Sequence, residues 1–320
     1  MSSDVFDRIR SSCGHVALAA ESVEILDAGL DALVGEFMAS SREIVADPAQ
    51  RPLANEAQTL AFVVTLNAIN FGSGYFPDLN KRPGMSGYFT IATCLEELFQ
   101  SQGGWSAREL SALSPAVCAR VFGQSPGSDG ATELMGWFAR ALNDLGDFLL
   151  EGYQGRFEGP VEECRRSAAA LVEILARMPL YGDVSQYGSI EVPFYKRAQL
   201  TASDLARAFE GKGFGAFDDL ERLTLFADNL VPHVLRRSGV LRYSADLAGR
   251  IDREELLVAG SPPEVELRAC AVHAVERLVD ALARTGAQVS ARDLDGWLWG
   301  RGQAPEIKAT PRHRTRTSYY

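Results

Sequence analysis

The chain has 320 residues, of which 46% are hydrophobic and 23% charged, and this composition predicts a folded protein with a sizeable buried core. Its formal net charge of -10 argues against a protein that grips long nucleic acid, because such proteins neutralise phosphates with a basic surface. Five scattered cysteines without a CxxC pair match neither a disulfide framework nor a zinc site, so buried, reduced thiols are expected.

The N-terminus carries charges where a signal peptide needs an apolar stretch, and no apolar run approaches the ~20 residues of a membrane span, so a cytoplasmic location is expected.

Helical signals recur along the first half of the chain. Apolar residues at three- and four-residue steps predict an amphipathic helix over residues 23–37, and Asn55 is a good N-cap for a helix reaching Phe71. Ser106 with Glu109 fits a capping box, and Ser114–Pro115 fits an N-cap followed by proline.

The second half shows the same helical character. Amphipathic stretches cover residues 130–153, 161–177, 218–236 and 263–285, and Thr201 with Asp204, followed by Gly211, brackets a short helix. The best strand candidates are Tyr88–Ile91 and Ser189–Tyr195, the latter weakened by Pro193. The pattern predicts an almost all-α protein with at most one or two short β-hairpins. Since no repeat or low-complexity linker divides the chain, residues 1–320 are expected to form a single compact domain.

One carboxylate stands beside a proline in the run Leu223–His233. Pro232 has no N–H, so the carbonyl of Asp228, four residues earlier, would lack a helical partner. We therefore expect a helix to end or open at Asp228, next to apolar residues that would partly desolvate its carboxylate. From the spacing alone, a solvated aspartate near a kinked helix end is the stronger alternative.

Two cationic segments are candidates for binding an anion. Lys196 and Arg197 come just before the predicted helix start at Thr201, whose free N–H groups would help. The C-terminal segment contains Arg312, His313, Arg314 and Arg316 and ends in two tyrosines. The alternatives are a solvated charged turn for the first segment and a disordered tail for the second.

A fourth segment, residues 67–77, combines amides, aromatics and glycines, as a nucleobase pocket would, although a helix end followed by a turn has the same composition. No Walker A loop, Rossmann glycine pattern, GxSxG elbow or HExxH helix is present. The four histidines lie far apart, and His273 is expected to be a satisfied core residue. The sequence implies no metal and no cofactor.

Together these segments resemble the queuosine salvage protein family, the queuosine 5'-phosphate N-glycosylases. The resemblance is carried by Asn70–Phe71, Phe194–Gln199, Leu223–Pro232 and the closing residues His313–Arg314 and Tyr319–Tyr320. It implies a helical fold distantly similar to the helix-hairpin-helix DNA glycosylases. The implied reaction is hydrolysis of queuosine 5'-monophosphate to queuine and ribose 5-phosphate, which lets the base return to tRNA.

The resemblance also implies roles for particular residues. Asp228 is the essential carboxylate, acting as nucleophile, water-orienting base or charge stabiliser. The predicted phosphate-binding residues are Lys196, His233, Arg314 and Tyr320, and the predicted base-binding residues are Phe217, Asp218, Asn70, Phe71 and Tyr75. The expected partner is a small nucleotide, with no long nucleic acid and no membrane. A non-catalytic nucleotide or nucleobase carrier and a DNA glycosylase are the alternative functions.

The chemistry of the leaving group adds one expectation. A 7-deazapurine has no N7 to protonate, so a hydrogen bond elsewhere on the ring must activate it, from Asp218, Asp219 or an amide. Asp218 and Asp219 could instead cap a helix. The chain departs from the eukaryotic pattern at Asn67 and Gly72–Tyr75, and again at Asn229–Leu230, which puts the base contacts in doubt more than Asp228.

Overall fold

The computed structural model describes residues 4–40, 47, 53–124 and 128–320 of the chain. Within them the protein is built almost entirely of helices, as the sequence predicts. The α-helices are α1 (Val5–Ala19), α2 (Asp27–Ala39), α3 (Glu56–Ala68), α4 (Gly87–Gln102), α5 (Ala107–Leu110), α6 (Pro115–Val121), α7 (Asp129–Tyr153), α8 (Glu158–Glu163), α9 (Ala168–Leu175), α10 (Lys196–Ala208), α11 (Val231–Arg237), α12 (Ala245–Asp252), α13 (Pro262–Arg284), α14 (Ala291–Arg301) and α15 (Pro305–Lys308). Short 3-10 helices cover Ser73–Asp78, Pro179–Tyr181, Gly213–Gly215 and Leu220–Arg222.

Four short strands complete the described structure: β1 (Val23–Ile25), β2 (Val184–Tyr187), β3 (Ile190–Pro193) and β4 (Leu241–Tyr243). Strands β2 and β3 form an antiparallel hairpin in which Tyr187 pairs with Ile190. Its turn contains Gly188, whose φ of 58° suits a residue without a Cβ. Strand β1 pairs antiparallel with β4, Val23 opposite Tyr243.

The described residues form two compact units. The first contains the chain up to residue 40, Asp183–Lys196 and Glu221–Arg316; the second contains the residues described between 47 and 182, Arg197–Leu220 and Thr317–Tyr320. In the first unit the long helix α13 packs against α1, α2, α11 and α14. Its buried face includes Val265, Ala269, Val272 and Leu278, which follow helical spacing.

The second unit is organised around α7, which packs against α3, α5 and α6. Phe138 of α7 lies between two aromatic rings, with T-shaped contacts to Phe71 at 5.2 Å and Phe122 at 5.5 Å. Gly146 lets α5 approach closely, because a Cβ at this position would lie 2.3 Å from the backbone nitrogen of Ser111.

Several helix boundaries confirm the sequence predictions. The side chain of Asn55 caps α3, Ser106 and Glu109 form a reciprocal capping box at α5, and Ser114 caps α6 with proline next. The predicted helices at 130–153 and 263–285 are α7 and α13. The strand predicted within Ser189–Tyr195 is β3, which ends at Pro193.

Two predictions are wrong because a local signal was missed. Residues Tyr88–Ile91 form part of α4 rather than a strand, since the Ser86 side chain caps this helix and Thr90 and Ile91 belong to its buried face. The stretch 161–177 is divided into α8 and α9 by Arg165 and Arg166, which have positive φ values of 49° and 67°.

Three further predictions are wrong because a distant segment or a proline decides the structure. Val23 belongs to β1, paired with β4, so α2 begins only at Asp27. Helix α10 begins at Lys196, not Thr201, since the Asp183 carboxylate accepts the Lys196 N–H. The stretch 218–236 is helical only in short pieces, and α11 begins after Asp228, with Pro232 in the first turn, where a missing N–H costs nothing.

Three expectations, about the cysteines, His273 and membrane spans, can be compared with the structure. All five cysteines are buried and unbridged, and burial raises the pKa of the Cys118 thiol to about 12. His273 is half-buried in α13, and burial lowers its pKa. Across the described ranges, none of the helices combines the length and the apolar character needed to cross a bilayer.

Candidate active site

The segment Leu223–Leu230 is an irregular, largely buried part of the first unit. Its backbone is held by side chains from distant helices. The Phe226 N–H donates to Oδ1 of Asp295 in α14 at 3.1 Å, and the Ala227 carbonyl accepts from Nε of Arg268 in α13 at 3.1 Å. The Asn229 amide donates to the His313 carbonyl at 3.5 Å. Bonds on both sides of Asp228 therefore fix its backbone.

The Asp228 carboxylate holds the backbone at the start of α11, two residues before the N-cap Leu230. Its Oδ1 accepts the N–H groups of Leu230 at 2.8 Å and Val231 at 3.0 Å. These bonds satisfy backbone donors that a helix start otherwise leaves without partners. Within the part of the chain that the structure describes, no hydrogen bond is donated to Oδ2. The half-buried carboxylate is thus held by one oxygen, which leaves the other for chemistry.

Arg312 supplies a positive charge near Asp228. Burial lowers the pKa of the Arg312 guanidinium, while the Asp228 carboxylate acts in the opposite direction. Arg312 belongs to the basic C-terminal segment but is not among the residues predicted for the site. The sequence shows only that several cations crowd there, and the fold decides which of them faces Asp228.

Lys196 occupies the first position of α10, and 6% of its surface is exposed. The backbone N–H of Lys196 donates to Oδ2 of Asp183 at 3.1 Å. The same carboxylate forms a buried ion pair with Arg268, at 2.9 Å to Nη1 and 2.7 Å to Nη2. Arg268 and Asp183 therefore link the backbone of Lys196 to that of Ala227, next to Asp228.

Two other residues predicted to bind phosphate belong to the first unit. His233 lies in α11, where its Nε2 is 3.1 Å from the Ile307 carbonyl, so this nitrogen carries the proton. Burial lowers the pKa of His233, which keeps the ring neutral. The Arg314 carbonyl accepts the Leu257 N–H at 2.8 Å. The segment is thus docked rather than disordered, and the phosphate contacts stay predictions.

In the second unit, Tyr320 lies beside the segment predicted to bind the base. Its backbone oxygen accepts the Gly72 N–H at 2.8 Å. Tyr75, 2% exposed, donates its hydroxyl to Glu133 at 2.9 Å. The structure thus brings the predicted residues Asn70, Phe71, Tyr75 and Tyr320 into one region of this unit.

Asn70 and Phe71 are both integrated into the packing of the second unit. The Asn70 amide donates to Oδ1 of Asn67 at 3.3 Å, and the Asn67 amide donates to the buried Asp204 at 2.9 Å. Phe71 has the guanidinium of Arg197 4.8 Å from its ring centre. The Arg197 guanidinium donates hydrogen bonds to the backbone carbonyls of Ala68 and Leu180, which gives this cation a structural role.

Phe217 and Asp218 lie elsewhere in the second unit, in the turn before residues 220–222. Asp218 is exposed and accepts from Nε of Arg166 at 3.1 Å, a hydrogen bond that lowers the pKa of this carboxyl. Asp219 accepts the N–H groups of Ala168 at 2.5 Å and Ala169 at 3.2 Å. Asp219 therefore supports the N-terminus of α9, whose N-cap is Ser167, from a distant segment and does not cap a helix of its own. The role of Asp218 stays a prediction.

The described chain is thus almost all-helical, and its first unit holds one carboxylate, that of Asp228, through backbone N–H groups. The chain belongs to the queuosine salvage protein family, whose sequence model matches residues 50–320. It is 38% identical over 285 residues to the queuosine 5'-phosphate N-glycosylase/hydrolase of Sphaerobacter thermophilus, covering 88% of this chain and 85% of that protein.

Eukaryotic relatives are similar over a shorter part of the chain. The proteins of the same name from Dictyostelium discoideum and Bos taurus are each 36% identical, over 183 and 192 residues. These alignments cover 57% of this chain and 57% and 56% of the two relatives, a little over half their length. The family resemblance seen in the sequence is confirmed.

Proposed function

We propose that this protein hydrolyses the N-glycosidic bond of queuosine 5'-monophosphate and releases queuine and ribose 5-phosphate. The observation that carries the proposal is the Asp228 carboxylate, fixed through Oδ1 by two backbone N–H groups. The relative from Sphaerobacter thermophilus, similar over 88% of this chain, is named for this substrate and this class of reaction.

Breaking an N-glycosidic bond builds positive charge on the sugar. A carboxylate already fixed in place stabilises that charge without reorganising during the reaction. In our proposal Oδ2 of Asp228, the oxygen that accepts neither of these N–H groups, meets the anomeric carbon. Arg312 balances the carboxylate charge before substrate binds. The same oxygen could form a covalent glycosyl intermediate or orient a water molecule, and these are variants of one carboxylate-centred mechanism.

The remaining roles follow the resemblance residue by residue. Lys196, His233, Arg314 and Tyr320 are proposed to face the 5'-phosphate. Phe217, Asp218, Asn70, Phe71 and Tyr75 are proposed to contact the base. An amide is proposed to donate the hydrogen bond that activates it, because Arg166 lowers the pKa of Asp218 and an ionised carboxylate only accepts hydrogen bonds. The released queuine would be available for tRNA modification, and the predicted cytoplasmic location suits that use.

The test is incubation of the purified protein with queuosine 5'-monophosphate, followed by chromatography for free queuine. We expect release by the wild type and a loss of at least about 100-fold in Asp228→Asn, on the scale measured when a single charge-stabilising group is removed. Asparagine keeps an oxygen that can accept the same N–H groups, so this variant should keep its fold.

Asp4→Asn is the matched control, because the Asp4 side chain also accepts a backbone N–H at a helix start of the first unit, that of Asp7 in α1. Its activity should equal that of the wild type. A wild type that releases no queuine would contradict the proposed reaction, whereas full release by Asp228→Asn would contradict the role of this carboxylate. Tight binding without release would favour the nucleotide carrier.

A further inference from the structure

The ion pair between Arg268 and Asp183 is among the most deeply buried polar features of the first unit. Only 1% of the Arg268 side chain and 4% of the Asp183 side chain are exposed. Burying two charges costs desolvation energy that their attraction often fails to recover, and apolar replacements of such pairs are often at least as stable. Stability alone is therefore a weak reason for this pair.

The hydrogen bonds of the pair lead to the candidate active site from two directions. Nε of Arg268 donates to the Ala227 carbonyl at 3.1 Å, and Ala227 directly precedes Asp228. Oδ2 of Asp183 accepts the backbone N–H of Lys196 at 3.1 Å. The guanidinium of Arg268 also lies 3.9 Å from the ring centre of Phe194, two residues before Lys196. One ion pair thus fixes the backbone beside both functional side chains.

The chain before Lys196 adopts an unusual conformation. Tyr195 has a φ of 47°, in the left-handed region that residues with a Cβ rarely adopt. The Asp183 carbonyl accepts the N–H groups of Phe194 at 2.9 Å and Tyr195 at 3.3 Å. Asp183 therefore holds this turn through its backbone and the start of α10 through its side chain. Strain of this kind persists where the surroundings enforce it, often at functional sites.

We propose that Arg268 and Asp183 are positioning residues, which set the Asp228 carboxylate against Lys196 for the reaction proposed above. The inference rests on that proposed function. Arginine suits this role because its rigid fork can serve a carboxylate through two nitrogens and a carbonyl through the third. Neither residue needs to touch substrate. Their effect is on geometry, and a misplacement of about 1 Å in an active site can cost about 100-fold in rate.

The first test is Arg268→Lys, which keeps the charge but cannot serve Asp183 and the Ala227 carbonyl together. With queuosine 5'-monophosphate as substrate, we expect kcat to fall about 10- to 100-fold, on the scale that misplaced catalytic groups produce, with KM changed little. Asp183→Asn, which keeps an acceptor for the Lys196 N–H and loses the charge pairing, should change kcat in the same direction.

Arg10→Lys is the matched control. Arg10 also lies in the first unit, and it also bonds a carboxylate and a backbone carbonyl, donating to Glu276 at 2.9 Å and to the Arg222 carbonyl at 2.6 Å. We expect this variant to lose thermal stability but to keep the wild-type kcat. If Arg268→Lys and Arg10→Lys both lost kcat in proportion to their loss of stability, the effect would be a general one on folding. That result would contradict the proposal.

A paired apolar replacement separates position from stability if the single variants fold poorly. The Arg268→Met, Asp183→Leu double variant should recover a melting temperature close to that of the wild type, as apolar replacements of buried ion pairs often do. Its kcat should stay low, because neither Ala227 nor Lys196 regains its partner. A folded double variant with wild-type kcat would overturn the inference, and so would a folded Arg268→Lys variant with wild-type kcat. Inactive wild type would instead overturn the proposed function.

Discussion

His313 lies between two arginines in the sequence, yet only 1% of its surface is exposed. Burial lowers its pKa to about 3, and the charges of Arg312, His233 and Arg268 act in the same direction. The imidazole is therefore neutral in the folded protein at pH 7. In the unfolded chain a histidine titrates near its ordinary pKa of about 6.5. Protonation therefore favours the unfolded chain as the pH falls.

The sign of this linkage gives a pH prediction. Because the folded pKa is depressed, the unfolded state binds more protons below about pH 6.5, and stability falls towards pH 3. His313 alone should cost about 2 kcal/mol of unfolding free energy between pH 7 and pH 5. Chemical denaturation at a series of pH values measures this slope. His313→Gln should flatten it, while the exposed His15→Gln should leave it unchanged. Equal slopes for wild type and His313→Gln would contradict the assignment.

At the scale of elements, α7 shows how one glycine sets the distance between helices. A Cβ on Gly146 would lie 2.3 Å from the Ser111 nitrogen and 2.6 Å from the Ala107 carbonyl oxygen, both of them backbone atoms. Backbone cannot swing away as a side chain can, so α5 would have to move. Gly136 in the same helix is different, because a Cβ there would meet no described atom within 4 Å.

These two glycines make a matched pair of variants. Gly146→Ala should lower the free energy of unfolding by about 1–3 kcal/mol through overpacking. Gly136→Ala should raise it by about 0.5–1 kcal/mol, because alanine loses less backbone entropy in a helix. Urea denaturation of both variants gives the two values. Stabilisation by both substitutions would mean that α5 is free to shift.

The same scale shows which parts of the fold the sequence could predict. Helix caps that depend only on residues close in the sequence are predicted correctly. Examples are Asn55 at α3 and Ser106 with Glu109 at α5. The predicted start of α10 at Thr201 is wrong because the helix begins at Lys196. The carboxylate that accepts the Lys196 N–H belongs to Asp183, 13 positions earlier in the chain. Strand β1 pairs with β4 across more than half of the chain, and three residues alone carry no strand signal.

The candidate site likewise contains residues that the sequence predicts and residues that it does not. The resemblance points to Asp228 and Lys196, because their neighbours form recognisable runs. The sequence does not predict Arg268 or Asp183 as site residues, and it marks Arg312 only as one cation of the basic C-terminal segment. A single charged residue inside a long helix or a loop has no local feature that identifies it. Their proposed roles depend on contacts with residues that are distant in the sequence. Arg268 and Asp183, for example, are 85 positions apart.

For the whole molecule, net charge separates the proposed reaction from base excision in DNA. At -10 the chain repels a polyanion, whereas a single nucleotide needs only a few local cations. In a gel shift at low salt we expect no complex with duplex DNA. A complex that weakens steeply as salt is added would instead support the DNA glycosylase alternative.

The packing of α1 against α13 has a consequence for synthesis of the protein. Helix α1 ends at Ala19 and α13 begins at Pro262, so a ribosome adding about 5–20 residues per second needs roughly 12–50 seconds to make the partner. Until then the buried apolar face of α1, which includes Phe6 and Ile9, lacks this partner helix. Helix α1 is thus among the last elements to complete its packing, and its apolar face is where a chaperone would bind the nascent chain.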